Sequence, residues 1–497
     1  MRRTSLGVAL VVAALAVVVV AALSGGKATR AALPAPHPTV SDYQLISTGT
    51  TPPTNADCEA VNRTCFTPQA TQSAYNVGPL YTQGYDGTGV TIAIVDSWGS
   101  DTMAHDLHVF DTAFGIRPMC GEEGVTCAPG MPTFTVWNPN GSPATKPSNG
   151  GTFLEDKSAW ALEVALDVET AHAMAPGANI LLVAVTGSET LGVQGFPNMM
   201  KAEKYVVDNN LAQVISQSFA SAEDAFGSAA SLENLRDAFK AAAANGVTVF
   251  GSSGDGGTAN GTKQPVGKGG NLIPYPTVEW PASDPLVTGV GGTYLCTNPL
   301  AGTNDPRTSY FVLGKGGKCG SNTYNPGHNF AEVAWTFSGG GFSHVFSKPA
   351  YQNALPAGST AIGSTRGVPD IALQASAGTG ALVYLSLPPD GNGSNVGNAG
   401  WYDIGGTSLS APQWAGLAAI GAQINGHGLG PINAALYQLA SNPASYASNF
   451  FDVATGNTNQ ADPSVVGYPA TTGWDPVTGL GTPNAANLLP ALAALVP

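Results

Sequence analysis

Five segments alternate between residues 179 and 252: the apolar run Asn179-Ile-Leu-Leu-Val-Ala-Val185, a helical pattern near 196–209, the run Gln213 to Ser218, a helical pattern near 231–245, and the run Val247 to Ser252. The short runs have the length and β-branched character of buried parallel strands. Strands that alternate with helices form βαβ units, whose sheet is covered by helices. The sequence therefore predicts an α/β fold, a doubly wound parallel sheet with helices on both faces.

The same pattern continues on both sides of this block. Residues 89–96 form another apolar, β-branched run that is bounded by turn residues. Residues 155–174 form a long helical pattern, which Pro176-Gly177 ends. A strand-like stretch before Gly405 leads into an apolar helix at about 408–424. Because the pattern has no clear break, we expect one large domain.

The composition excludes several classes of protein. The 497 residues include 19 Lys or Arg and 33 Asp or Glu, which gives a net charge of −14. Charged residues are 10% of the chain, against roughly 25% in an average soluble domain. Nucleic-acid binding is excluded because it requires clustered Lys and Arg, and disorder is excluded by the 43% of hydrophobic residues. A surface with so few charges changes little when carboxylates are protonated, so we expect an acidic working environment.

The N-terminus has the pattern of a signal peptide. Arg2 and Arg3 precede an uncharged apolar run from Leu6 to Leu23, and small residues follow it. We therefore assign residues 1–24 to a signal peptide and expect a secreted, extracellular protein. The run is also long enough to reach the lower limit of a membrane span, so an uncleaved anchor is the alternative. Residues 25–65 are rich in Thr, Pro, Ala and Asn, which predicts a linker or loosely ordered arm.

The six cysteines fall into three pairs that are local in sequence: Cys58/Cys65, Cys120/Cys127 and Cys296/Cys319. An even number of cysteines in an exported chain favours disulfides, and local pairing is the simplest of the possible connectivities. The spacing does not fit a zinc site, which would need paired CxxC motifs.

The segment Gly405-Gly406-Thr407-Ser408-Leu409-Ser410-Ala411-Pro412 places a serine at the start of the last long helix. A glycine-bearing turn before a helix exposes the hydroxyl beside the N–H groups of the first helical turn, which can hold an oxyanion. We place Pro412 in that first turn, where a proline is tolerated. Ser408 is thus a candidate nucleophile, and the alternative is a helix N-cap.

Glu163 and Asp167 lie four residues apart in the helical pattern of 155–174, so both carboxylates share one helical face. Their neighbours are apolar, and we expect this face to be buried. Two buried like charges should share a proton and titrate with separated apparent pKa values. A carboxylate held in this way can act as a base in acid. The alternative is two solvated acids on an exposed face.

The segment Gly251-Ser252-Ser253-Gly254-Asp255-Gly256-Gly257 follows a predicted strand at its C-terminal end. Active-site groups of open α/β sheets gather at that edge. Asp255 is therefore either a site residue or an ordinary turn residue.

Together these residues resemble the sedolisin family, the serine-carboxyl peptidases. The resemblance runs from about Phe66 to the C-terminus and implies a subtilisin-like fold, with a sedolisin-like peptidase domain at 66–497. It rests on a set of motifs in the family's order: the Glu163/Asp167 helix with Ala175-Pro176-Gly177-Ala178, Ser253-Gly254-Asp255, Gly291-Gly292-Thr293, Gly339-Gly340-Gly341-Phe342-Ser343 with Pro349-Ala350-Tyr351-Gln352, Val368-Pro369-Asp370, and Gly406-Thr407-Ser408 with Pro412.

The resemblance implies a role for each site residue. Ser408 would be the nucleophile that attacks the scissile carbonyl, and Glu163 would be its general base. Asp167 would orient and tune Glu163. Asp255, protonated in acid, would donate a hydrogen bond to the oxyanion, since an ionised carboxylate would repel it.

The resemblance also implies a calcium site near the C-terminus, in the segments that begin at Phe451 and Thr471. Two carboxylates with nearby carbonyls suit a hard cation such as Ca²⁺, although turn chemistry alone would also explain them. The implied ligands are the side chains of Asp452 and Asp475 and the carbonyls of Val453, Thr471 and Gly473. Thr471 stands where the family often has Gly.

The sequence departs from the family pattern at its N-terminus and at Phe219. Many members carry a long pro-domain, but only about 40 residues separate the apolar run from the catalytic pattern here, which puts the family's zymogen control in doubt. Phe219, in Ile215-Ser216-Gln217-Ser218-Phe219-Ala220, stands where the family usually has Trp and cannot donate a hydrogen bond. Asp96 stands where some members extend the acidic network, and it is either such an acid or a strand-end turn residue.

The sequence thus predicts a secreted, acid-active serine-carboxyl endopeptidase that acts on proteins or peptides as a monomer, with Ca²⁺ as its cofactor. It would contact a membrane only if the N-terminal run is uncleaved, as a membrane-anchored surface peptidase. A catalytically silent subtilisin-like binding protein is the alternative from another class. An acidic carbohydrase would leave Ser408 unexplained, and its paired carboxylates would have to bracket a sugar ring.

Overall fold

The structure is a computed structural model of the 497-residue chain. It describes residues 37–38, 42–139, 154–185, 195–262, 271–296, 332–389, 396–454, 456 and 458–496. All of them lie in one compact unit, Leu33–Pro497. The assigned signal peptide or anchor, residues 1–24, and Cys319 lie outside the described residues. In the part of the chain that is described, no helix has both the length and the apolar character that a membrane span requires.

The described α-helices are α1 (Asn55–Ala60), α2 (Pro68–Ala74), α3 (Gly78–Thr82), α4 (Met103–Phe114), α5 (Leu154–Met174), α6 (Gly195–Asp208), α7 (Ala229–Glu233), α8 (Asp237–Ala244), α9 (Thr407–Asn425), α10 (Asn433–Ser441), α11 (Pro443–Asn449) and α12 (Ala485–Ala493). The described strands are β1 (His37–Pro38), β2 (Asp42–Thr48), β3 (Thr91–Ser97), β4 (Phe134–Trp137), β5 (Asn179–Val185), β6 (Val214–Gln217), β7 (Phe219–Ala222), β8 (Thr248–Ser252), β9 (Glu279–Trp280), β10 (Thr288–Leu295), β11 (Glu332–Ala334), β12 (Gly341–Ser347), β13 (Thr365–Val368), β14 (Ile371–Gln374), β15 (Ala381–Leu385), β16 (Gly400–Gly405), β17 (Phe450–Phe451) and β18 (Thr482–Pro483).

The central sheet confirms the predicted fold class. Its strands follow the order β11-β10-β8-β6-β3-β5-β4, with β14 also paired to β10. All neighbours are parallel except β11, which joins antiparallel at one edge. Helices α5 and α9 pack on one face of the sheet, and α6 and α8 pack on the other. The sheet is therefore doubly wound, with helices on both faces.

Alternation along the strands separates the two sides of the core. On β3, Ile92 and Ile94 join the apolar cluster around α5 and α9, whereas Ala93 and Val95 join the cluster around α6 and α8. Successive side chains of a strand point to opposite faces. The next residue in the α5 series on β3 is Asp96, so its carboxyl is directed to the α5 side.

Most predicted elements lie within a few residues of the observed ones. The pattern at 155–174 is α5, and the apolar helix at 408–424 is α9. The helical pattern near 231–245 is wrong as a single helix, because two helices, α7 and α8, occupy this stretch.

The expectation of a loosely ordered arm is wrong for residues 42–65. Strand β2 pairs antiparallel with β16, and α1 follows it. Thr54 caps α1 in a capping box with Asp57, in which each side chain bonds the other's backbone N–H. Pairing of this segment with a sheet cannot be read from its composition, because the partner strand lies some 350 residues later in the sequence.

Two of the three local cysteine pairs are confirmed. Cys58 bonds Cys65, and Cys120 bonds Cys127. Cys296 is also disulfide-bonded.

Candidate active site

Three polar residues lie at the carboxyl ends of adjacent strands. Asp96 is near the end of β3, Ser218 directly follows β6, and Asp255 follows β8 by three residues. These strands are neighbours in the order β8-β6-β3 and are parallel, so their carboxyl ends meet at one edge of the sheet. This is the edge at which α/β sheets place their ligands.

A sharp turn places Ser408 at the same edge. Strand β16 ends at Gly405, and Gly406 has φ 134° and ψ 161° before α9 begins at Thr407. A φ in this range favours glycine, which explains the glycine before the helix. The Gly406 N–H donates to the Ala375 carbonyl at 2.6 Å and fixes the turn. Ser408 is therefore held in the first turn of α9, and its side chain has 0% exposure.

The position of Pro412 differs from the expectation. Pro412 is the sixth residue of α9, so it lies inside the helix and not in its first turn. A proline there supplies no N–H to the carbonyl four residues earlier, which is that of Ser408. The Ser218 hydroxyl lies 3.5 Å from this Ser408 carbonyl oxygen. Because Pro412 has no N–H, the Ser408 carbonyl oxygen can accept from the hydroxyl of Ser218, the residue that follows β6.

Close packing of α5 against α9 brings Glu163 to Ser408. A Cβ on Gly416 of α9 would lie 2.6 Å from the Met174 Cβ and 2.9 Å from the Ala171 carbonyl oxygen of α5. Only glycine permits this approach. The Ser408 side chain is close enough to Glu163 to lower the pKa of that carboxyl, although neither oxygen of Glu163 has a hydrogen bond of full geometry.

Glu163, Asp167 and Asp96 form a buried group of carboxyls, each with 0% exposure. Burial is the main cause that raises the pKa of Glu163 well above its usual value, and Asp96 raises it further. Burial, Asp96 and Glu163 likewise raise the pKa of Asp167, while a hydrogen bond of 3.0 Å from the Ser218 hydroxyl lowers it. Burial raises the pKa of Asp96 to about 8. The group therefore holds protons at a pH where ordinary carboxyls have lost them.

The position of Asp96 decides between the two interpretations of this residue, as an acid of the network or as a strand-end turn residue. It lies inside β3 and not in a turn, and neither of its carboxyl oxygens has a hydrogen-bond partner. Its effect on the pKa of Glu163 and of Asp167 places it in their group.

Asp255 links the loop after β8 to the start of α9. Its Oδ1 accepts the Thr407 N–H at 2.7 Å and the Thr407 hydroxyl at 2.8 Å. The Thr407 hydroxyl also accepts the Gly254 N–H at 3.1 Å. Asp255 also raises the pKa of Glu163, so the Asp255 carboxyl lies close enough to interact electrostatically with the Glu163 carboxyl. The structure thus brings Ser408, Glu163, Asp167 and Asp255 to one place.

Phe219 does not take part in this polar arrangement. It is fully buried in the apolar cluster on the α6 side and lies edge-on to Phe196, with ring centroids 6.2 Å apart. The Phe219 ring therefore packs in the apolar core and supplies no hydrogen bond to the acids.

The proposed calcium ligands are close together in the fold. Asp452 accepts the Gly473 N–H at 3.0 Å, and Asp475 accepts the Thr471 N–H at 3.1 Å. Besides burial, both carboxylates raise the pKa of Tyr446, so both face its hydroxyl.

The chemistry of these residues fits a hard cation, because carboxylate and backbone carbonyl oxygens are the ligands that such a cation takes and both carboxylates act on the same Tyr446 hydroxyl. Val477 and Thr478 also donate their N–H groups to Asp475, at 2.8 and 2.9 Å. In the described part of the chain no group of three or more His, Cys, Asp or Glu side chains could hold a metal, so a site here would depend on backbone carbonyls.

Sequence reasoning missed Ser218 and Thr407 as parts of the site. The alternation of side chains along β6 could have indicated Ser218, and the position next to Ser408 could have indicated Thr407. Val214 belongs to the α5 side and Gln217 contacts Glu203 of α6, so Ser218 is directed to the α5 side.

The chain is similar to several peptidases. Kumamolisin of Bacillus sp. (strain MN-32) is 31% identical over 432 residues, which cover 86% of this chain and 64% of the relative. Sedolisin of Pseudomonas sp. (strain 101) is 30% identical over 341 residues, which cover 69% and 50%. Human tripeptidyl-peptidase 1 is 29% identical over 353 residues, which cover 67% and 52%. The chain thus spans about half to two thirds of the length of these relatives.

A solved structure agrees with the sequence similarity. The structure of Pseudomonas sedolisin, a serine-carboxyl proteinase in complex with two molecules of pseudo-iodotyrostatin, matches with a TM-score of 0.61 at 26% identity. The match covers 87% of this chain and 98% of that one. No protein-family model matches the sequence.

Proposed function

The chain belongs to the sedolisin family of serine-carboxyl peptidases, and on that basis we propose that it is a secreted, acid-active endopeptidase that hydrolyses peptide bonds. One observation carries the proposal: a serine in the first turn of α9 lies beside a carboxyl whose pKa is raised by burial and by other carboxyls. The alternative of a helix N-cap is wrong, because the N-cap of α9 is Gly406 and Ser408 is the second residue of the helix. The substrates are proteins or peptides, and the extracellular location rests on the N-terminal pattern.

In the proposed reaction, the Ser408 hydroxyl attacks the carbonyl carbon of the scissile bond and Glu163 takes its proton. The same carboxyl then returns the proton to the leaving amine. Asp167 lies one helical turn from Glu163 and is held by the Ser218 hydroxyl. It orients Glu163 and shares its proton, because two neighbouring carboxylates in a buried site do not both ionise. Water then hydrolyses the acyl group on Ser408.

The oxyanion is stabilised by the Ser408 N–H and by the carboxyl of Asp255. Since Oδ1 of Asp255 accepts both donors of Thr407, its proton belongs on Oδ2. A neutral carboxyl donates a hydrogen bond to the developing charge, whereas an ionised one repels it. Activity therefore requires Asp255 to be protonated.

The sign of the pH dependence follows from the direction of the pKa shifts. The mechanism needs Glu163 without a proton, as the base, and Asp167 and Asp255 with one. Burial raises the pKa of Asp167, so this carboxyl keeps its proton in acid, and raising the pH through neutrality removes protons that the mechanism uses. The rate is expected to be highest in acid and to fall towards neutral pH. A rate maximum above neutral pH would contradict the proposal.

The experiment is digestion of a denatured protein at acidic and at neutral pH by the wild type and two serine variants. Ser408→Ala removes the nucleophile and should lower the rate by at least about 10³-fold. Ser410→Ala is the matched control, because Ser410 is also buried in α9 but donates to the Gln374 carbonyl at 2.9 Å. Equal cleavage by Ser408→Ala and wild type would leave a silent binding protein as the better description.

We also propose that Ca²⁺ is bound near the C-terminus. The side chains of Asp452 and Asp475 and the carbonyls of Val453, Thr471 and Gly473 would hold it. A cation there would neutralise the buried carboxylate of Asp475 and the partly buried one of Asp452, and it would tie the segments of residues 452–453 and 471–475 together. Its contribution is to stability, since no step of the reaction uses it.

A further inference from the structure

Arg63 joins two segments of the chain that are distant in sequence. Its Nη2 lies 2.6 Å from Oδ2 of Asp42, and its Nη1 donates to the Ala377 carbonyl oxygen at 2.6 Å. The Arg63 side chain is only 16% exposed. A guanidinium is planar and presents its donors in fixed directions, which the single ammonium of a lysine does not. The Arg63 guanidinium therefore fixes the separation of Asp42 and Ala377.

Both partners of Arg63 contact Gly405, the last residue of β16. Asp42 is the first residue of β2 and is paired with Gly405 across the antiparallel ladder of β2 and β16. Ala377 begins a single helical turn, Ala377–Thr379. A Cβ on Gly405 would lie 2.2 Å from the Ala377 nitrogen and 2.6 Å from its Cα, so Gly405 lies directly against this backbone. The guanidinium thus ties together the two segments that Gly405 touches.

This contact fixes the turn that holds Ser408. The Gly406 N–H donates to the carbonyl of Ala375, two residues before Ala377, and α9 begins at the residue after Gly406. The direction of the Ser408 side chain therefore depends on where the segment 375–377 lies. A shift of about 1 Å in that segment would move the hydroxyl relative to its general base, and displacements of this size are costly in catalysis.

The backbone around Arg63 is itself restrained. The Arg63 N–H donates to the Cys58 carbonyl at 2.9 Å, and the Thr64 N–H donates to the Gly378 carbonyl at 3.1 Å. The disulfide between Cys58 and Cys65 closes the loop that carries these residues. Because the backbone is already held, only the rotamer freedom of the side chain is lost when the guanidinium binds its two partners.

A buried carboxyl also lies near the guanidinium. Asp403 belongs to β16, two residues before Gly405, and has 0% exposure. A Cβ on Gly380 would lie 2.6 Å from Oδ1 of Asp403, so this carboxyl faces the segment that follows the helical turn. Burial raises the pKa of Asp403 well above its usual value, Arg63 lowers it and Asp42 raises it. Arg63 is therefore the cation of a group that contains a carboxyl from each of the paired strands β2 and β16.

We propose that Arg63 is a positioning residue for the nucleophile, an inference that rests on the proposed function. Its guanidinium fixes the two segments that contact Gly405, and this fixes the turn that directs Ser408 to its base. Arg63 acts only through the backbone and takes no part in proton transfer. The stretch of residues 42–65, whose composition predicted a loosely ordered arm, thus supplies a part that the reaction needs.

The first test is steady-state cleavage of a peptide in acid by wild type, Arg63→Ala and Arg63→Lys. For Arg63→Ala we expect kcat to fall by about 10–100-fold, with KM within about 2-fold of wild type, because positioning of the nucleophile affects the reaction step and not substrate binding. Arg63→Lys should recover only part of the loss, because an ammonium does not bind both partners in fixed directions. A kcat of Arg63→Ala equal to that of wild type would overturn the proposal.

Arg117→Ala is the matched control. Arg117 also donates to a carbonyl, that of Gly130, and its Nη1 lies 3.9 Å from a carboxylate, that of Asp86. Neither partner belongs to the turn before α9, so kcat should stay near that of wild type. Equal losses in the two alanine variants would show that any arginine with such contacts has the same effect, and would overturn a specific role of Arg63.

Chemical rescue separates positioning from a loss of folded protein. Ethylguanidinium added to Arg63→Ala can occupy the place of the missing group, and it should raise kcat several-fold in a saturable manner. Ethylammonium at the same concentration is the control cation, because it carries the charge without the planar set of donors. An equal rise with both cations would overturn the proposal, since it would show an effect of charge or ionic strength alone.

A last measurement requires no activity. In the Ser408→Ala background, hydrogen exchange of the peptides that contain residues 403–409 should be about 10-fold faster with Arg63→Ala and unchanged with Arg117→Ala, because a released turn opens locally more often. Unchanged exchange with Arg63→Ala would overturn the proposal. If wild type digests a denatured protein and Arg63→Ala keeps its kcat, the positioning role is wrong and the proposed function stands. If wild type digests nothing, the proposed function is wrong, and hydrogen exchange alone decides whether Arg63 holds the turn.

Discussion

Asp96 shows how one buried side chain tunes the site. Its carboxyl raises the pKa of both Glu163 and Asp167, so its replacement by a neutral amide should lower both. For Asp96→Asn we expect the profile of kcat/KM against pH to move to lower pH by about 0.5–1 unit. The measurement is the initial rate of peptide cleavage across the acid range.

Glu203→Gln is the matched control for Asp96→Asn. Burial also raises the pKa of Glu203 to about 8, but its carboxyl bonds Gln217 and belongs to α6, on the opposite face of the sheet. Its removal should leave the profile in place. A profile unmoved by Asp96→Asn, or moved equally by both variants, would contradict electrostatic tuning by Asp96.

Two roles of Asp255 can be separated by mutation: donating a hydrogen bond to the oxyanion and accepting hydrogen bonds from Thr407. In Asp255→Asn the amide oxygen can still accept the two donors of Thr407, and the amide N–H₂ can donate to the oxyanion. Asp255→Ala removes both functions. We expect Asp255→Ala to lose about 10²–10³-fold in kcat, the usual cost of one oxyanion donor, and Asp255→Asn to lose clearly less. Equal losses in steady-state kinetics would show that an acid, and not merely a donor, is needed at this position.

At the scale of elements, the crossing of α5 and α9 decides whether base and nucleophile meet. In Gly416→Ala the new Cβ would lie 2.6 Å from the Met174 Cβ and 2.9 Å from a backbone oxygen of α5. The helices must separate, which should destabilise the protein by about 1–3 kcal/mol. It should also lower kcat more than it raises KM, because Glu163 moves away from Ser408.

Gly421→Ala is the matched control, because Gly421 lies in the same helix, α9, but not in the close contact with α5. Its Cβ would meet the Leu429 Cδ1 at 3.0 Å, the far end of a side chain that can turn away. Activity and the free energy of unfolding should both stay near those of wild type. If thermal unfolding and kcat respond equally to the two glycine substitutions, close packing of α5 against α9 does not position the base.

The segments around Asp452 and Asp475 give a prediction that does not involve catalysis. If Ca²⁺ joins them, a chelator should lower the free energy of unfolding by roughly 3 kcal/mol at a cation concentration 100-fold above the dissociation constant. The melting temperature with and without excess chelator measures this. Asp452→Asn should melt lower than wild type and respond little to the chelator. An unchanged melting temperature of the wild type would count against the site.

The parts of the fold that have local periodicity could be predicted, whereas pairings between distant segments could not. The runs at 179–185 and 247–252 predict parallel strands because buried strands have a distinctive composition. Strands β1 and β2 were missed because a segment that joins an existing edge needs no pattern of its own. Pro412 was placed in the first turn because a helix boundary is uncertain by a residue or two, and here the boundary sets which carbonyl loses its partner.

The same limit applies to the site. Its residues could be selected by resemblance and by spacing, since Glu163 and Asp167 share one helical face. The approach of Ser218 to Asp167 could not be predicted without the strand order, because they belong to different elements. Asp96 could not be separated from a turn residue until β3 was seen to include it.

For the whole molecule, the chain is poor in charges and several of its acids are buried. Burial raises the pKa of Asp106 to about 6, that of Glu332 to about 7 and that of Glu203 to about 8, all outside the proposed catalytic group. These three carboxyls favour the fold while they hold their protons, so the pH affects the stability of the fold as well as the reaction.

The stability of the whole molecule should therefore fall as the pH rises from about 4 to about 8. An unfolded carboxyl has a pKa of about 4, and these acids keep their protons to a higher pH when the chain is folded. Between the two pKa values the native state binds more protons than the unfolded state, so the free energy of unfolding decreases with rising pH. Below about pH 4 the stabilisation is fully present.

Glu203→Gln tests this at one position, because the amide oxygen can still accept from Gln217 and the side chain no longer ionises. We expect the variant to match the wild type near pH 4 and to exceed its free energy of unfolding by about 1–3 kcal/mol near pH 7. The measurement is denaturant unfolding of the Ser408→Ala protein and of the Ser408→Ala, Glu203→Gln double variant. Because both lack the nucleophile, neither digests itself. A wild-type curve that rises towards neutral pH, or a variant that is equally offset at both pH values, would show that these buried acids do not set the stability in acid.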